Sequence, residues 1–448
     1  MGGRSSDGRG VRTLAGWLVL FLVVAVVGAA VAATISAVPA LADETPTPLG
    51  DVSASPSADP SVAPSPDPSV SPSVVPSPDP SASVPPYVLT YTLSQPEISY
   101  LGTVTVTGAV APATEGLEVV VAVDGVDVAT ATTDAGGAFT AGFVAERTCT
   151  VSARLTADGT TGPLLALAVR PTVTTSFGTA VPFLPTRFVV NVAPRDYDGY
   201  AVARVYHRGV LVGKVVRQVV DGKVVFRLPT PGIEWFKVEC ALRATEEYAR
   251  KEFTRNFKVP YRTLRVGSSG LIVEGLLTRL SQLRIRVPAI DRYFGVKDKD
   301  AVVAFQKTYR LTRDYVVNYA DWRKLEFAKV ARPRYASPTV HIEIDKTRQI
   351  LMVVKEGKVR GLIAVSTGAT GNTPEGAFRI KSKIPMSVSL FGTALLPYTM
   401  GFYGEYAIHG YYSVPPYPAS HGCVREPIWV CRWVYDRSFL GERVYIYH

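Results

Sequence analysis

The 448-residue sequence predicts a multidomain, mainly β protein with two β-sandwiches, a small three-helix domain and a C-terminal mainly β domain. A chain of this length exceeds what one hydrophobic core usually organises. Short segments rich in β-branched residues, separated by turn residues, fill positions 87–260, whereas apolar residues recur at helical spacing in 261–330. Alternating strand patterns return within residues 337–448.

The first 43 residues have the pattern of an export signal or a membrane anchor. Residues 14–33 are almost wholly apolar and follow three arginines, an arrangement typical of segments that the export machinery recognises. Ala40-Leu41-Ala42 fits a cleavage site, yet the apolar stretch reaches the roughly 20 residues that span a bilayer. Both outcomes stay open. In either case we expect an extracytoplasmic protein, in the cell wall or anchored in the membrane and facing the wall.

Residues 44–86 are dominated by proline, serine, aspartate and valine, in near-repeats such as Ser65-Pro66-Asp67-Pro68. A segment of this composition cannot bury a hydrophobic core, so it predicts a disordered linker. Proline at this density favours extended backbone of about 3.1 Å per residue, so the linker could reach on the order of 130 Å. Such a reach suits a stalk through a thick wall.

The formal net charge of +10 favours association with polyanions. Behind an export signal, the polyanion we expect is a wall polymer. Nucleic acid would be the other polyanionic partner, but no cluster of lysine and arginine is dense enough to indicate a groove binder. The sequence therefore predicts no nucleic-acid partner.

Two similar β-rich segments follow the linker. The run Val119–Val123 is dominated by β-branched residues and is bounded by turn residues, as in the strands of β-sandwiches. Residues 134–137 form a turn signal that leads to Cys149. Residues 221–223 lead to Cys240 at a roughly similar offset, which indicates a weak internal repeat. The general pattern resembles immunoglobulin-like domains of bacterial surface proteins, and we interpret both segments as spacers. The predicted domains are residues 87–172 and 173–260.

Residues 261–330 change to a helical pattern. Apolar residues recur at three- and four-residue spacing from Val273 to Leu280. A second helix is expected to follow, with Asp298 as its cap, because this carboxylate can accept backbone N–H groups. A third, short helix is predicted to contain Trp322 and Leu325.

This helical segment resembles the small three-helix peptidoglycan-binding domain. The matching residues are Leu264, Gly267, Ser269-Gly270, Phe294-Gly295, Ala301-Val302, Phe305-Gln306 and Trp322. The resemblance implies binding to the cell wall. The sequence departs from that family after Asp314, where Tyr315 replaces the usual glycine, and a bulky side chain there is expected to alter the turn or the groove beside it.

The residues that can carry chemistry lie near the C-terminus. After several strand patterns come His409-Gly410 and the run Ser420-His421-Gly422-Cys423-Val424-Arg425. Thiol chemistry needs a nucleophilic sulfur, an adjacent base and hydrogen-bond donors for the oxyanion. This segment contains candidates for all three.

Cys423 is predicted to lie near the N-terminus of a helix. Pro427 is favourable at a first helical position, and Ile428 and Cys431 follow at helical spacing. The helix dipole and a neighbouring imidazolium would lower the pKa of the thiol. The missing side chain of Gly422 would let substrate approach the backbone N–H groups of this turn, which we expect to be the oxyanion donors.

These motifs resemble the signature of the L,D-transpeptidase catalytic domain of the YkuD type. The match extends to 342–345, to Ser366-Thr367-Gly368, to Thr373-Pro374-Glu375-Gly376 and to Gly441-Glu442-Arg443-Val444. The resemblance implies that Cys423 attacks the amide between the third and fourth residues of a donor stem peptide. D-alanine leaves, a thioester remains, and the amine of a second stem peptide resolves it into a cross-link.

The resemblance also implies roles for the neighbours of Cys423. His409 would take the thiol proton, and the carbonyl group of Gly410 would orient its imidazole. Ser420 and His421 belong to the same motif and are expected to have secondary, orienting roles. Arg425 would lie beside the nucleophile and hold either a carboxylate or a loop, and the sequence leaves both open.

A structural zinc site is the competing interpretation, because two imidazoles and two thiols lie within a short span: His409, His421, Cys423 and Cys431. The spacing is unfavourable, since Cys431 would lie two turns along a helix, buried on its apolar face. We therefore expect no metal and no cofactor. The four cysteines do not suggest a disulfide framework either. His207, in the second sandwich, is expected to be an ordinary surface residue.

The sequence therefore predicts an exported L,D-transpeptidase of cell-wall biogenesis. Its partner would be peptidoglycan, through donor and acceptor stem peptides, and also the membrane if the N-terminal segment stays uncleaved. Three alternatives remain open. Water could resolve the thioester, as in an L,D-carboxypeptidase; the same chemistry could attach a protein to the wall; or the protein could bind the wall with an inactive enzyme domain.

Overall fold

The computed structural model describes residues 86–390 and 392–448, which form a mainly β structure with several sandwich-like sheets and four helices in these ranges. The predicted export or anchor segment, residues 1–43, and nearly all of the predicted linker lie outside the described residues. No helix within the described ranges is long and apolar enough to cross a membrane. The mainly β class is confirmed, whereas the number of domains and their boundaries stay predictions.

Residues 88–170 form two sheets around one hydrophobic core. The strands are β1 (Val88–Leu93), β2 (Glu97–Ser99), β3 (Gly102–Ala111), β4 (Glu118–Val123), β5 (Val126–Thr132), β6 (Ala138–Ala145), β7 (Cys149–Leu155) and β8 (Leu165–Arg170). One sheet has the order β1-β3-β6 and the other β2-β8-β7-β4-β5. Phe139 and Phe143 of β6 face this core, because alternate residues of a strand point to the same side.

Residues 172–259 form two further sheets around a second core. The strands are β9 (Thr172–Phe177), β10 (Thr186–Ala193), β11 (Tyr200–His207), β12 (Val210–Gln218), β13 (Lys223–Leu228), β14 (Glu234–Leu242) and β15 (Lys251–Val259). The orders are β13-β10-β9 and β12-β11-β14-β15, which repeat β6-β3-β1 and β5-β4-β7-β8. Cys149 in β7 and Cys240 in β14 therefore lie in corresponding strands.

Three helices follow: α1 (Leu271–Gln282), α2 (Asp298–Tyr309) and α3 (Tyr319–Phe327). Val273 and Leu280 of α1 and Trp322 and Leu325 of α3 are fully buried in one core, as their spacing predicts. The side chain of Asn318 caps α3 by accepting the N–H of Ala320 at 2.8 Å. That these helices bind peptidoglycan stays a prediction.

Two details of this helical region differ from the sequence-based expectation. Asp298 is the first residue of α2 rather than its cap, and its Oδ2 accepts the N–H of Gly295 in the preceding turn at 2.7 Å. Tyr315 has a φ of 63°, so the turn keeps the left-handed conformation that glycine usually supplies. The bulky residue is accommodated without loss of the turn.

The prediction that His207 is a surface residue is wrong. Only 7% of His207 is exposed, and its ring stacks on Phe236 with the centroids 4.1 Å apart. Its Nε2 lies 3.4 Å from the carboxylate of Glu326 in α3. The covering residue is distant in sequence, so the local pattern around His207 carried no sign of its burial.

The C-terminal region combines two sheets and one helix. Its elements are β16 (His341–Asp345), β17 (Ile350–Lys355), β18 (Lys358–Ala364), β19 (Gly376–Arg379), β20 (Ser382–Val388), β21 (Leu395–Tyr403), β22 (Tyr406–Tyr411), β23 (Val424–Pro427), α4 (Ile428–Arg437) and β24 (Arg443–Tyr447). The sheet orders are β18-β17-β16-β24-β19 and β20-β21-β22-β23. Apolar residues of both sheets and of α4 share one core, which supports the strands that carry the site described next.

Candidate active site

A pocket of about 450 Å³ opens at the ends of β22 and β23. Its lining residues are Asn372, Ser389, Ala394, Leu396, Glu405, Tyr406, His409, Tyr411, Ser420, His421, Gly422, Cys423 and Arg425. Of the seven site residues predicted from the sequence, six line this pocket. The seventh, Gly410, follows His409 in β22 and contributes its carbonyl group.

Parallel pairing of two short strands brings the histidine and the cysteine motifs together. Ile408 of β22 lies opposite Val424 of β23, and His409 lies opposite Arg425. Cys423 directly precedes β23, so the thiol lies beside the strand that carries His409. This pairing joins segments that a loop separates in sequence, and both side chains line the same pocket.

His409 is held in one orientation. It is only 3% exposed, and its Nδ1 lies 3.0 Å from the carbonyl oxygen of Gly410. Because a carbonyl oxygen can only accept, Nδ1 carries the proton, and Nε2 of the neutral ring is left as a proton acceptor. Burial lowers the pKa of His409, and the positive charge of Arg425 lowers it further, against the effect of the Gly410 bond. The imidazole is therefore neutral at neutral pH.

The expectation that Cys423 lies at a helix N-terminus is wrong. The four residues of β23 separate it from α4, whose first residue is Ile428 and whose N-cap is Pro427. At about 3.3 Å per residue, the five residue steps to Ile428 place the backbone of Cys423 about 16 Å from the first helical residue. The effect of a helix dipole falls off within the first turn, so α4 does not lower the pKa of this thiol.

The pKa of Cys423 is raised rather than lowered. Burial is the largest cause, and the carboxylate of Glu405 adds to it. A hydrogen bond from the N–H of Ala407 and the charge of Arg425 act in the opposite direction. The Sγ also lies 3.6 Å from the carbonyl oxygen of Glu405, which a thiol can approach as a weak donor. The resting pair is thus a neutral thiol beside a neutral imidazole.

Two hydrogen bonds of the Ser420 side chain fix the turn before Cys423. Ser420 Oγ accepts the N–H of Gly422 at 3.0 Å and donates to the carbonyl oxygen of Cys423 at 2.5 Å. The predicted oxyanion donor at Gly422 is therefore occupied within the turn. Gly422 has a φ of 144°, and a Cβ there would lie 2.6 Å from the ring of Tyr406. This position requires glycine on both counts.

Two polar side chains from outside the turn, those of Asn372 and Thr373, form hydrogen bonds with its backbone. The sequence analysis did not identify either as a site residue. Asn372 Nδ2 donates to the carbonyl oxygen of His421 at 2.6 Å. Thr373 Oγ1 donates to the carbonyl oxygen of Gly422 at 2.6 Å and accepts the N–H of Gly368 at 2.8 Å. Thr373 belongs to a motif that supported the family resemblance, and that motif could have identified it as a site residue. No sequence motif pointed to Asn372.

Arg425 lines the pocket with its guanidinium 4.3 Å from the centroid of the Tyr411 ring. This distance is within the range of a cation–π interaction. The backbone of Arg425 exchanges hydrogen bonds of 3.0 and 2.9 Å with Ser366. The side chain thus stacks on a neighbouring strand and also faces the pocket, where a carboxylate could reach it.

Cys431 lies apart from the pocket. It is fully buried in α4, and its Sγ lies 3.1 Å from the carbonyl oxygen of Ile428. All four cysteines fall in the described ranges and are free thiols. Among the residues that the structure describes, no three histidine, cysteine or acidic side chains are grouped so that they could hold a metal ion.

Comparison with known proteins connects this site to a family. Residues 339–446 match the family model described as the L,D-transpeptidase catalytic domain, YkuD. No curated protein matches the chain.

Three solved structures are similar to part of the chain. An L,D-transpeptidase from Xylanimonas cellulosilytica is 33% identical over 43% of this chain and all of that chain, with a TM-score of 0.39. An L,D-transpeptidase from Stackebrandtia nassauensis is 23% identical over 41% of this chain and 95% of that one, with a TM-score of 0.28. The catalytic domain of the Enterococcus faecium L,D-transpeptidase is 21% identical over 26% of this chain and all of that one, with a TM-score of 0.23. The match to the family model assigns the C-terminal region of this protein, residues 339–446, to the L,D-transpeptidase catalytic domains of the YkuD type.

Proposed function

We propose that the protein is an extracytoplasmic L,D-transpeptidase that cross-links peptidoglycan through a thioester on Cys423. One observation carries the proposal: a partly exposed thiol and a buried imidazole, whose Nε2 is the accepting nitrogen, line one pocket. A nucleophile with an adjacent, oriented base is the arrangement that acyl transfer requires.

The first half-reaction forms the thioester. Sγ of Cys423 attacks the carbonyl carbon of the third residue of a donor stem peptide while Nε2 of His409 takes the thiol proton. The tetrahedral intermediate collapses, the C–N bond breaks, and the imidazolium returns its proton to the nitrogen of the leaving D-alanine. Because the resting pair is neutral, His409 acts as a general base during attack instead of holding a preformed thiolate.

The second half-reaction transfers the acyl group. The amine of a second stem peptide attacks the thioester carbonyl carbon and gives up a proton to His409. The C–S bond breaks, the proton returns to sulfur, and a new amide cross-link leaves the pocket. Water in place of the amine would give hydrolysis.

The negative charge that develops on the carbonyl oxygen needs donors from the turn at residues 420–423. Because the N–H of Gly422 already donates to Ser420 Oγ, the backbone N–H of Cys423 is the candidate donor to this oxyanion. One such donor typically contributes roughly 3 kcal/mol to a transition state. Arg425, the guanidinium among the pocket-lining residues, is suited to a carboxylate of the stem peptide.

The other regions would serve to place this site in the wall. We assign wall binding to the helices at 271–327 because of the sequence resemblance, and a spacer role to the two sandwich regions. The net charge of +10 supports attraction to anionic wall polymers. Membrane attachment would depend on whether the first 43 residues are retained.

The test is to incubate the purified protein with a disaccharide tetrapeptide and to identify the products by mass spectrometry. A cross-linked dimer with release of D-alanine is expected. A disaccharide tripeptide alone would assign the chain to hydrolysis, and an unchanged tetrapeptide would contradict both activities. The Cys423→Ala variant is the matched control, because it keeps the pocket and removes the sulfur.

A further inference from the structure

The three helices and the catalytic sheet share one hydrophobic core. Ile350, Met352 and Val354 of β17 pack with the residues of α1, α2 and α3. The alternating residues Leu351 and Val353 face the other way, into the core beneath the pocket. Strand β17 is therefore buried on both faces, and the helices form the layer that covers its outer side.

One lysine of α2 reaches through this contact into the catalytic region. Lys307 is fully buried, and its Nζ donates to the carbonyl oxygen of Val365 at 2.9 Å and lies 3.5 Å from that of Pro415. Burial lowers the pKa of Lys307 to about 7. Its acceptors are neutral carbonyl groups, and an uncharged amine would still have two N–H groups to donate to them.

Two further contacts join the same surfaces. Arg313, just after α2, donates from Nη1 to the carbonyl oxygen of Pro416 at 3.0 Å and from Nη2 to that of Thr347 at 3.2 Å. Trp429, at the start of α4, donates from Nε1 to Asp300 Oδ2 at 2.9 Å. Three side chains of the helical region, those of Asp300, Lys307 and Arg313, thus form hydrogen bonds with the catalytic region.

Lys307 and Arg313 both contact the segment of residues 412–419. This segment runs from the end of β22 to Ser420. It contains three prolines, which have no N–H and so cannot form backbone ladders of their own. The carbonyl groups of two of them, Pro415 and Pro416, are held by the helical region. On the catalytic side, Ser366 Oγ donates to the carbonyl oxygen of Tyr417 at 2.8 Å.

We propose that Lys307 and Arg313 are positioning residues for the active site, and that the helical region is a structural part of the catalytic unit as well as a candidate wall-binding module. They hold the proline-rich segment 412–419, which sets where the turn at Ser420 presents Cys423 to His409. The proposal rests on the proposed role of Cys423. A displacement of about 1 Å in such a site can lower turnover by about 10²-fold.

The test uses Lys307→Met in the full chain, since methionine is of similar length but cannot donate. Lys297→Met is the matched control, because Lys297 is exposed at the start of the same helix. With a soluble disaccharide tetrapeptide, which needs no attachment to the wall, we expect Lys307→Met to lower kcat by about 10- to 100-fold with little change in KM. The control should match the wild type.

Hydrogen exchange supplies a readout that does not depend on the reaction. Amides in residues 412–423 should exchange faster in Lys307→Met than in the control, while those of β17 stay protected. Wild-type kcat together with wild-type exchange in 412–423 would overturn the proposal. A loss of protection spread evenly over the molecule would mean that Lys307→Met does not fold, and the Arg313 variants then decide. If exchange in 412–423 becomes faster in Lys307→Met but the wild type itself has no activity on the tetrapeptide, the proposed function fails and only the contact between Lys307 and the segment is supported.

Arg313 gives a second route if Lys307→Met does not fold. Arg313 is only partly buried, so Arg313→Gln should leave the core intact. We expect it to lower kcat in the same direction, and Arg313→Lys, which keeps one charged donor, to restore part of the loss. An Arg313→Gln variant with wild-type kcat and wild-type exchange in 412–423 would contradict the proposal.

Discussion

The sandwich regions and the C-terminal region each contain free thiols, in different surroundings. Cys240 lies in an apolar core, 5% exposed, and burial raises its pKa to about 12. Burial also raises the pKa of Cys423, yet Cys423 is partly exposed in a pocket that His409 lines. The pKa shift therefore has the same direction in both places. Access and a neighbouring base, rather than a lowered pKa, distinguish the thiol that we propose to be reactive.

The largest expected difference between the two regions is the effect on enzymatic activity of removing a thiol from each. We expect Cys423→Ala to abolish both D-alanine release and cross-linking, because no other group in the pocket can form the thioester. Cys240→Ala should keep wild-type activity, since that side chain only fills a core. Product analysis by mass spectrometry is the measurement. Residual cross-linking by Cys423→Ala above background would show that another residue is the nucleophile.

Removal of the base should have the next largest effect. His409→Gln keeps a side chain of similar reach but cannot accept and return a proton, so we expect kcat to fall by about 10²- to 10⁴-fold. Steady-state kinetics with the soluble tetrapeptide measure this. A fall of less than threefold would mean that His409 is not the base, and wild-type thermal stability of the variant would show that the loss is chemical.

The pH dependence of Cys423 alkylation should show that its thiol is protonated at rest. The thiolate is the reacting form, and its fraction rises about tenfold per pH unit below the pKa. Because the pKa is raised, we expect the rate with iodoacetamide to climb steadily from pH 6 to pH 9, while Cys240 stays unmodified. A rate that is already constant above pH 6 would instead indicate a thiolate paired with an imidazolium.

The smallest effect is expected at the glycine of the turn. Gly422→Ala places a Cβ against the Tyr406 ring in a backbone conformation that alanine adopts with strain, so it should lower stability by about 1–3 kcal/mol and reduce kcat. Gly404→Ala is the control, because its φ is 47° and no atom lies within 4 Å of the added Cβ. Thermal unfolding compares the two. Equal losses would contradict the steric role of Tyr406.

Local patterns predicted much of the architecture. Helical spacing gave α1, α2 and α3, and alternation of β-branched residues gave the sandwich strands, because both patterns reflect which face of an element is buried. The pairing of His409 with Cys423 in one pocket followed from a motif rather than from periodicity. The domain boundaries and the roles of individual site residues stay predictions.

Other features depend on contacts between distant segments. Strand β23 exists because it pairs with β22, so an extended strand separates Cys423 from the helix that the sequence predicted to begin at Pro427. His207 is buried because α3 places Glu326 against it. The residues around Asn372 and Lys307 contained no indication of their roles, since each side chain donates a hydrogen bond to a carbonyl group that lies far along the chain.

The most direct test of the central claim is covalent capture of the thiol. The protein is incubated with a carbapenem-type β-lactam, and the adduct is located by peptide mass spectrometry. The proposed function predicts one adduct, on Cys423, which is absent from Cys423→Ala and forms slowly in His409→Gln. The absence of an adduct on Cys423, or an adduct on a different residue, would contradict it.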